Sequence, residues 1–110
     1  MNRATAEQLK GNTNALILAA LREGPLHGYA IARHIESQSE SYFRLNEGSL
    51  YPALHQLEKD GALTASWEQV GGRRRKRYRL TRKGRALLAR LVREWQQFSE
   101  QVGRALGVAA

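Results

Sequence analysis

A mainly α-helical domain carrying one small β-hairpin is the fold this sequence predicts, and three observations predict it. Apolar residues recur at helical spacing in three stretches before residue 61 and in one long stretch after residue 81. Residues 63–80 alternate in the two-residue rhythm of paired strands about Gly71-Gly72, which can supply the positive backbone angles of a tight turn. A charge block coincides with the second strand. From Gly71 to Arg93 stand eleven of the eighteen Lys and Arg residues, with no Asp or Glu among them.

The first helix is expected from Thr13 to Arg22, with Leu16, Ile17, Ala20 and Leu21 at helical spacing, and Glu23-Gly24-Pro25 stops it. Ahead of it, Thr5 to Lys10 reads as a short turn of helix ended by Gly11. A second helix starts near His27-Gly28, is expected to bury Tyr29, Ile31, Ala32 and Ile35, and ends in the polar run Glu36 to Ser41. The third takes Ser49 as its N-cap, Leu50, Leu54 and Leu57 as its core stripe, and Gly61 as its C-terminal cap. That start makes Pro52 the third helical residue, where a missing N–H has no partner to lose.

Pairing about Gly71-Gly72 sets Leu63 opposite Leu80, Ala65 opposite Tyr78 and Trp67 opposite Lys76. On the other face it sets Thr64 opposite Arg79, Ser66 opposite Arg77 and Glu68 opposite Arg75. One face is then apolar and the other a row of cations, and the Glu68–Arg75 pairing supports the register. Trp67 is read as wing packing rather than as a base-stacking platform.

Thr81 caps a fourth helix. Leu88, Leu91, Trp95, Phe98, Val102 and Ala105 follow a four-three pattern along it, the seam of a helix that packs along another. Leu87 and Val92 widen the stripe where it meets the domain. Arg90 with Glu94 and Glu100 with Arg104 each add about 0.2 to 0.5 kcal/mol. A helix of roughly 25 residues spans about 37 Å, and a chain of 110 residues cannot cover it alone. A second copy is the natural partner; the alternative is a helix folded back on its own domain.

Composition narrows the function classes. The chain has room for one domain, arranged as residues 1–80 and a C-terminal helix over 81–110 in one compact unit. It has no Cys, so disulfides, thiolate metal sites and cysteine nucleophiles are excluded. No apolar run approaches bilayer length and the first residues do not form a signal-peptide core, so a cytoplasmic protein is expected. The net charge of +8 points to an acidic partner, nucleic acid before an anionic membrane. His27, His34 and His55 lack metal-ligand spacing with acidic partners, and neither a glycine-rich phosphate loop nor a Ser-His-acid arrangement can be argued. An enzyme, a metal and a cofactor are therefore not expected.

Three helices followed by a basic hairpin is the order of a winged helix-turn-helix. In that fold the third helix enters the DNA major groove and the hairpin lies along the backbone or minor groove. With the Leu50 stripe inward, the opposite side of that helix carries Pro52, His55, Gln56 and Lys59, with Ser49 and Tyr51 near its start. Gln56 can bind an adenine edge in two places, Lys59 can hold phosphate or guanine, and Tyr51 can hold phosphate. His55 is equally well a surface histidine or a base contact. Arg73, Arg74, Arg75, Lys76 and Arg77 are placed to grip phosphate.

Four stretches carry a family resemblance: Leu26-His27-Gly28-Tyr29-Ala30-Ile31, Glu47-Gly48-Ser49-Leu50-Tyr51-Pro52-Ala53-Leu54, Leu57-Glu58-Lys59-Asp60-Gly61, and Gly72-Arg73-Arg74-Arg75-Lys76-Arg77-Tyr78-Arg79-Leu80-Thr81. Together they make the chain resemble the PadR family of bacterial transcriptional regulators, in its short branch with one C-terminal helix. The resemblance implies a homodimeric repressor of a palindromic promoter element, dimerised through its last helix, with Tyr51 a DNA contact. In multidrug-sensing members of that branch a Trp on the last helix lines a flat cavity between subunits and stacks on planar ligands, and Trp95 falls at the matching place. Trp95 is also where a seam requires a large packing residue, so both readings stand. Arg74-Arg75 replace a proline common in the family's wing, which raises its charge and flexibility.

The resulting expectation is a sequence-specific, dimeric regulator of duplex DNA. Its contacts are Ser49, Tyr51, His55, Gln56, Lys59 and the wing cations, its interface Leu88, Leu91, Trp95, Phe98 and Val102, and its possible effector a small planar molecule at Trp95. The alternatives are a non-specific nucleic-acid-binding protein and a module whose long helix pairs with a different protein.

Overall fold

The computed structural model describes residues 11–108. The elements are α1 (Thr13–Ala20), β1 (Leu26–His27), α2 (Gly28–Gln38), α3 (Glu47–Lys59), β2 (Leu63–Val70), β3 (Arg73–Leu80) and α4 (Arg82–Leu106). The expected turn at Thr5 to Lys10 lies outside the described residues. Three short helices and a three-stranded antiparallel sheet enclose one core, and α4 extends from it, forming a winged helix-turn-helix that is mainly helical.

The core is assembled from the stripes that periodicity marks. Ile17, Leu18 and Leu21 from α1 and its end meet Ile31 and Ile35 of α2, Leu50, Leu54 and Leu57 of α3, and Leu63, Tyr78 and Leu80 of the sheet, all buried. Burying each such side chain is worth about 1.5 to 3 kcal/mol. Tyr29 departs from its expected burial and is 63% exposed. It precedes Ile31 by two positions, roughly 200° around a helix, so a helix that buries Ile31 and Ile35 turns Tyr29 outward.

The hairpin has the expected register at every pair, from Leu63 opposite Leu80 to Val70 opposite Arg73. Gly71 and Gly72 have φ of 58° and 79°, the pair of positive angles that matches the twist of two strands. A third strand, β1, joins the other edge of β3 through Leu26–Tyr78 and His27–Arg77, so β3 is the central strand. Two residues carry no period, and only the completed β3 edge organises them.

Helix α3 begins earlier than the Ser49 cap implies. Asn46 is the N-cap, its side-chain oxygen accepting the Ser49 N–H at 2.9 Å. Ser49 is thus inside the first turn, and Pro52 is the sixth helical residue rather than the third. Its ring nitrogen cannot donate to the Gly48 carbonyl. Gly48 is exposed, so water can take that bond. The far end follows expectation: Gly61, at φ 83°, lets Ala62 N–H reach Leu57 O at 2.9 Å and its own N–H reach Glu58 O at 3.0 Å, the paired bonds of a Schellman cap.

Helix α4 starts with the Thr81 hydroxyl accepting the Gly84 N–H at 3.0 Å. The same hydroxyl donates to Gly61 O at 2.6 Å, and Thr81 N–H donates to Ala62 O at 3.1 Å. Gly84 is buried there, and a Cβ on it would collide with the Ala62 carbonyl oxygen. Further along, Leu88, expected at the interface, is buried in the chain's own core. Leu91 and Val92 are half-buried, while Trp95, Phe98 and Leu106 are 57%, 68% and 71% exposed. The molecule is elongated accordingly, 54 × 33 × 21 Å, with a radius of gyration of 15.1 Å against about 13 Å for a compact chain of this length.

Candidate nucleic-acid interface

The site starts from the inward turn of one stripe. Because Leu50, Leu54 and Leu57 are between 0 and 2% exposed, the reverse side of α3 presents Ser49, Pro52, His55, Gln56 and Lys59 to solvent. Tyr51 is half-buried and lies against Gly28, where an added Cβ would sit 3.0 Å from the Tyr51 Cε1 atom. Glycine at that position lets the ring pass between α2 and α3 and fixes where its hydroxyl emerges. Gln56 donates to Asp60 Oδ1 at 2.9 Å, so it must exchange that acceptor to read a base edge. Lys59 makes no ion pair among the described residues.

The wing supplies the second half. Arg73, Arg75, Arg77 and Arg79 alternate along one face of β3, and all are exposed. The other face is apolar only as far as Tyr78 and Ala65; beyond them it carries Lys76 and Arg74 beside Trp67, so the cations are not confined to one side. Arg74 lies over the Trp67 ring at 4.7 Å, a cation–π contact that gives the 57%-exposed Trp67 a packing role within the wing. A single cleft, lined by Tyr29, Tyr51 and His55 from the helices and by Trp67, Arg73 and Arg74 from the wing, joins the two halves.

Two acids beside the basic face are taken up by basic side chains, while Glu47 lines the cleft at the start of α3. Glu68 stands opposite Arg75, but its carboxylate turns to its diagonal neighbour Arg77 at 3.4 Å and across the sheet to His27 at 2.7 Å, the second pairing being one that only β1 makes available. Glu58 takes Lys76 at 2.8 Å. That hydrogen bond raises the Lys76 ammonium above its ordinary range, while burial pushes the neighbouring Tyr78 phenol up. Arg73, Arg74 and Arg75 make no ion pair among the described residues, which leaves them for an external anion.

Two side chains absent from the sequence-based site belong to this surface. Tyr29 and Arg33 meet through a 3.0 Å hydrogen bond and a 5.7 Å ring contact at the cleft's edge. Their signal was available: both stand off the Ile31–Ile35 stripe. The remaining expected residues form a separate group on α4, where Trp95 borders a shallow depression with Gln96, Ser99, Glu100, Arg104 and Val108. The Arg90–Glu94 and Arg104–Glu100 pairs form as spaced, at 3.7 and 3.0 Å. No described helix is long and apolar enough to cross a membrane.

Residues 17–90 match the Transcriptional regulator PadR-like family. The transcriptional regulator Rv3488 of Mycobacterium tuberculosis is 35% identical, the match covering 78% of each chain. Among solved structures, a PadR family transcriptional regulator from Eggerthella lenta is 32% identical with a TM-score of 0.79, over 91% of this chain and 86% of that one. Bacillus subtilis PadR in complex with operator DNA is 27% identical with a TM-score of 0.67, over 73% of this chain and 46% of that one.

Proposed function

The chain belongs to the PadR-like family of transcriptional regulators, which are not enzymes, and from that premise we propose that it is a homodimeric repressor of a palindromic duplex operator. The observation that carries the reading is the uncovered surface shared by the reverse side of α3 and the wing. Ser49, Tyr51, His55, Gln56 and Lys59 face the major groove, and Arg73, Arg74, Arg75 and Arg77 hold phosphate. That Bacillus subtilis PadR is solved in complex with operator DNA supports DNA as the partner. Two copies joined along Leu91, Trp95, Phe98 and Val102 would bring their α3 helices to grooves about 34 Å apart. A planar apolar molecule at Trp95 would release DNA by favouring a different dimer geometry, since equal affinity for two geometries shifts nothing.

Selection of bound duplexes from a random pool tests the reading. The expected result is a two-fold symmetric sequence bound at least about 10³-fold more tightly than random duplex at fixed salt. No enrichment, with binding to every duplex, would mean a non-specific coating protein. A monomer without DNA affinity would mean a helix-mediated interaction module. Within a specific complex, Arg73→Ala with Arg74→Ala should weaken binding to all sequences and lower the salt slope by about 0.9 for each phosphate no longer neutralised. Gln56→Ala should instead relax one base position, at about 1 to 3 kcal/mol.

A further inference from the structure

We propose that Glu58 and Lys76 form a strut that sets the angle between the recognition helix and the wing, which makes both of them positioning residues for DNA binding rather than DNA contacts. This rests on the reading of α3 and the wing as one DNA-binding surface.

The strut stands where the wing leaves the core. Tyr78 is the last buried residue of β3 toward the turn, and from Trp67 to Arg75 every residue except Glu68 is exposed. Arg73 lies five residues beyond Tyr78, about 17 Å at the rise of a strand, so a 15° swing about the Tyr78 level moves it by roughly 4 Å. Such a displacement takes a guanidinium from one phosphate oxygen to none. Something must brace the hairpin above that level.

Lys76 is the first residue past Tyr78 on the face that looks toward α3. Its Nζ is 2.8 Å from Glu58 Oε1, with side-chain exposures of 26% and 34%. The ammonium also stands 5.5 Å from the Tyr78 ring and 5.9 Å from the Trp67 ring. It is thereby enclosed by the helix below, the strand it belongs to and the neighbouring strand. Among the described residues this is the one ion pair between α3 and the hairpin. Stacked on the outer side of Trp67 is Arg74, so the chain Glu58–Lys76–Trp67–Arg74 runs from the recognition helix to a wing cation that carries no acid partner.

The assignment makes a prediction opposite in sign to simple electrostatics. A carboxylate at the edge of a phosphate-binding face repels DNA, and its removal should tighten binding to every duplex. Removal of a brace should loosen operator binding, because a mobile wing must be ordered when it docks.

The test uses the full chain with Glu58→Gln, Lys76→Met and Lys76→Arg, the last retaining the pair. In the free proteins, backbone ¹⁵N order parameters from Trp67 to Arg75 should fall from the rigid range near 0.85 to below about 0.6 in Glu58→Gln and Lys76→Met. In Lys76→Arg they should stay at the parent value. On the selected operator duplex, both disruptive variants should lose about tenfold in affinity while the salt slope stays at the parent value. Unchanged order parameters would overturn the strut. So would tighter operator binding by Glu58→Gln, or a salt slope lowered by about 0.9 in Lys76→Met, which would make Lys76 a phosphate ligand. A parent chain that selects no operator would defeat the regulator reading, and the order parameters of the DNA-free protein would still decide whether the strut exists.

Discussion

Helices α3 and α4 carry the same kind of apolar stripe and put it to opposite uses. In α3, Leu50, Leu54 and Leu57 are sealed into the domain, so the stripe determines which way the helix's polar side looks. In α4 the stripe is buried at Leu88, half-buried at Leu91 and Val92 against the same core, and then runs on with Trp95 and Phe98 in the open. A buried stripe organises the chain's own fold. One left in solvent has no folding role in the single chain, and its length and apolar character suit a second chain. Periodicity alone does not separate these cases; the length of the helix relative to the domain does.

The contrast is broken most forcefully by Leu54→Ala, which should cost about 2 to 5 kcal/mol of stability in denaturant unfolding and abolish DNA binding with it. Next comes Gly84→Ala at the junction of the two helices. The new methyl meets the Ala62 carbonyl, which is backbone and cannot swing aside, so a destabilisation of about 1 to 3 kcal/mol is expected in the same measurement, although alanine is otherwise the better helix former. Asn46→Ala removes the cap of α3 and should cost about 1 kcal/mol, sharpening the position of that helix's start; Ser49→Ala at unchanged stability would place the cap at Asn46. Smallest in folding terms is Phe98→Asp, within about 0.5 kcal/mol at an exposed site. Its effect should appear in sedimentation velocity, as a shift from dimer to monomer mass with the circular dichroism retained. A Phe98→Asp chain that instead unfolds would show that the outer stripe serves the domain after all.

How far the sequence reaches follows the same division between local and distant causes. The hairpin register was legible pair by pair because Gly71-Gly72 fix the turn and a period of two does the rest. The inward faces of α1, α2 and α3 were legible through Ile17, Ile31 and Leu54 for the corresponding reason at helical spacing, as was the Gly61 cap. What escaped depends on residues far away in the chain. β1 is a strand only because β3 offers it an edge. Glu68 leaves its cross-strand neighbour Arg75 for His27, which lies 41 positions away. Asn46 outcompetes Ser49 as the cap because both can cap and only the loop's path decides. Of the candidate site, the basic and polar side chains of α3 and the wing emerge where expected, whereas Tyr29 and Arg33 were missed although their spacing from Ile31 and Ile35 turns them outward. Lys76 was legible as a cation but not as the partner of Glu58, eighteen positions earlier.

The junction at Thr81 and Gly84 has a mechanical consequence. Thr81 bonds Gly61 and Ala62 at the very end of α3, and the missing side chain of Gly84 lets α4 sit directly on that backbone. No pliable linker separates the two rods. A torque applied near Phe98, about five turns out along α4 at 5.4 Å each, is therefore handed to α3 through main-chain atoms, with a lever arm of about 25 Å and almost no slack to absorb it.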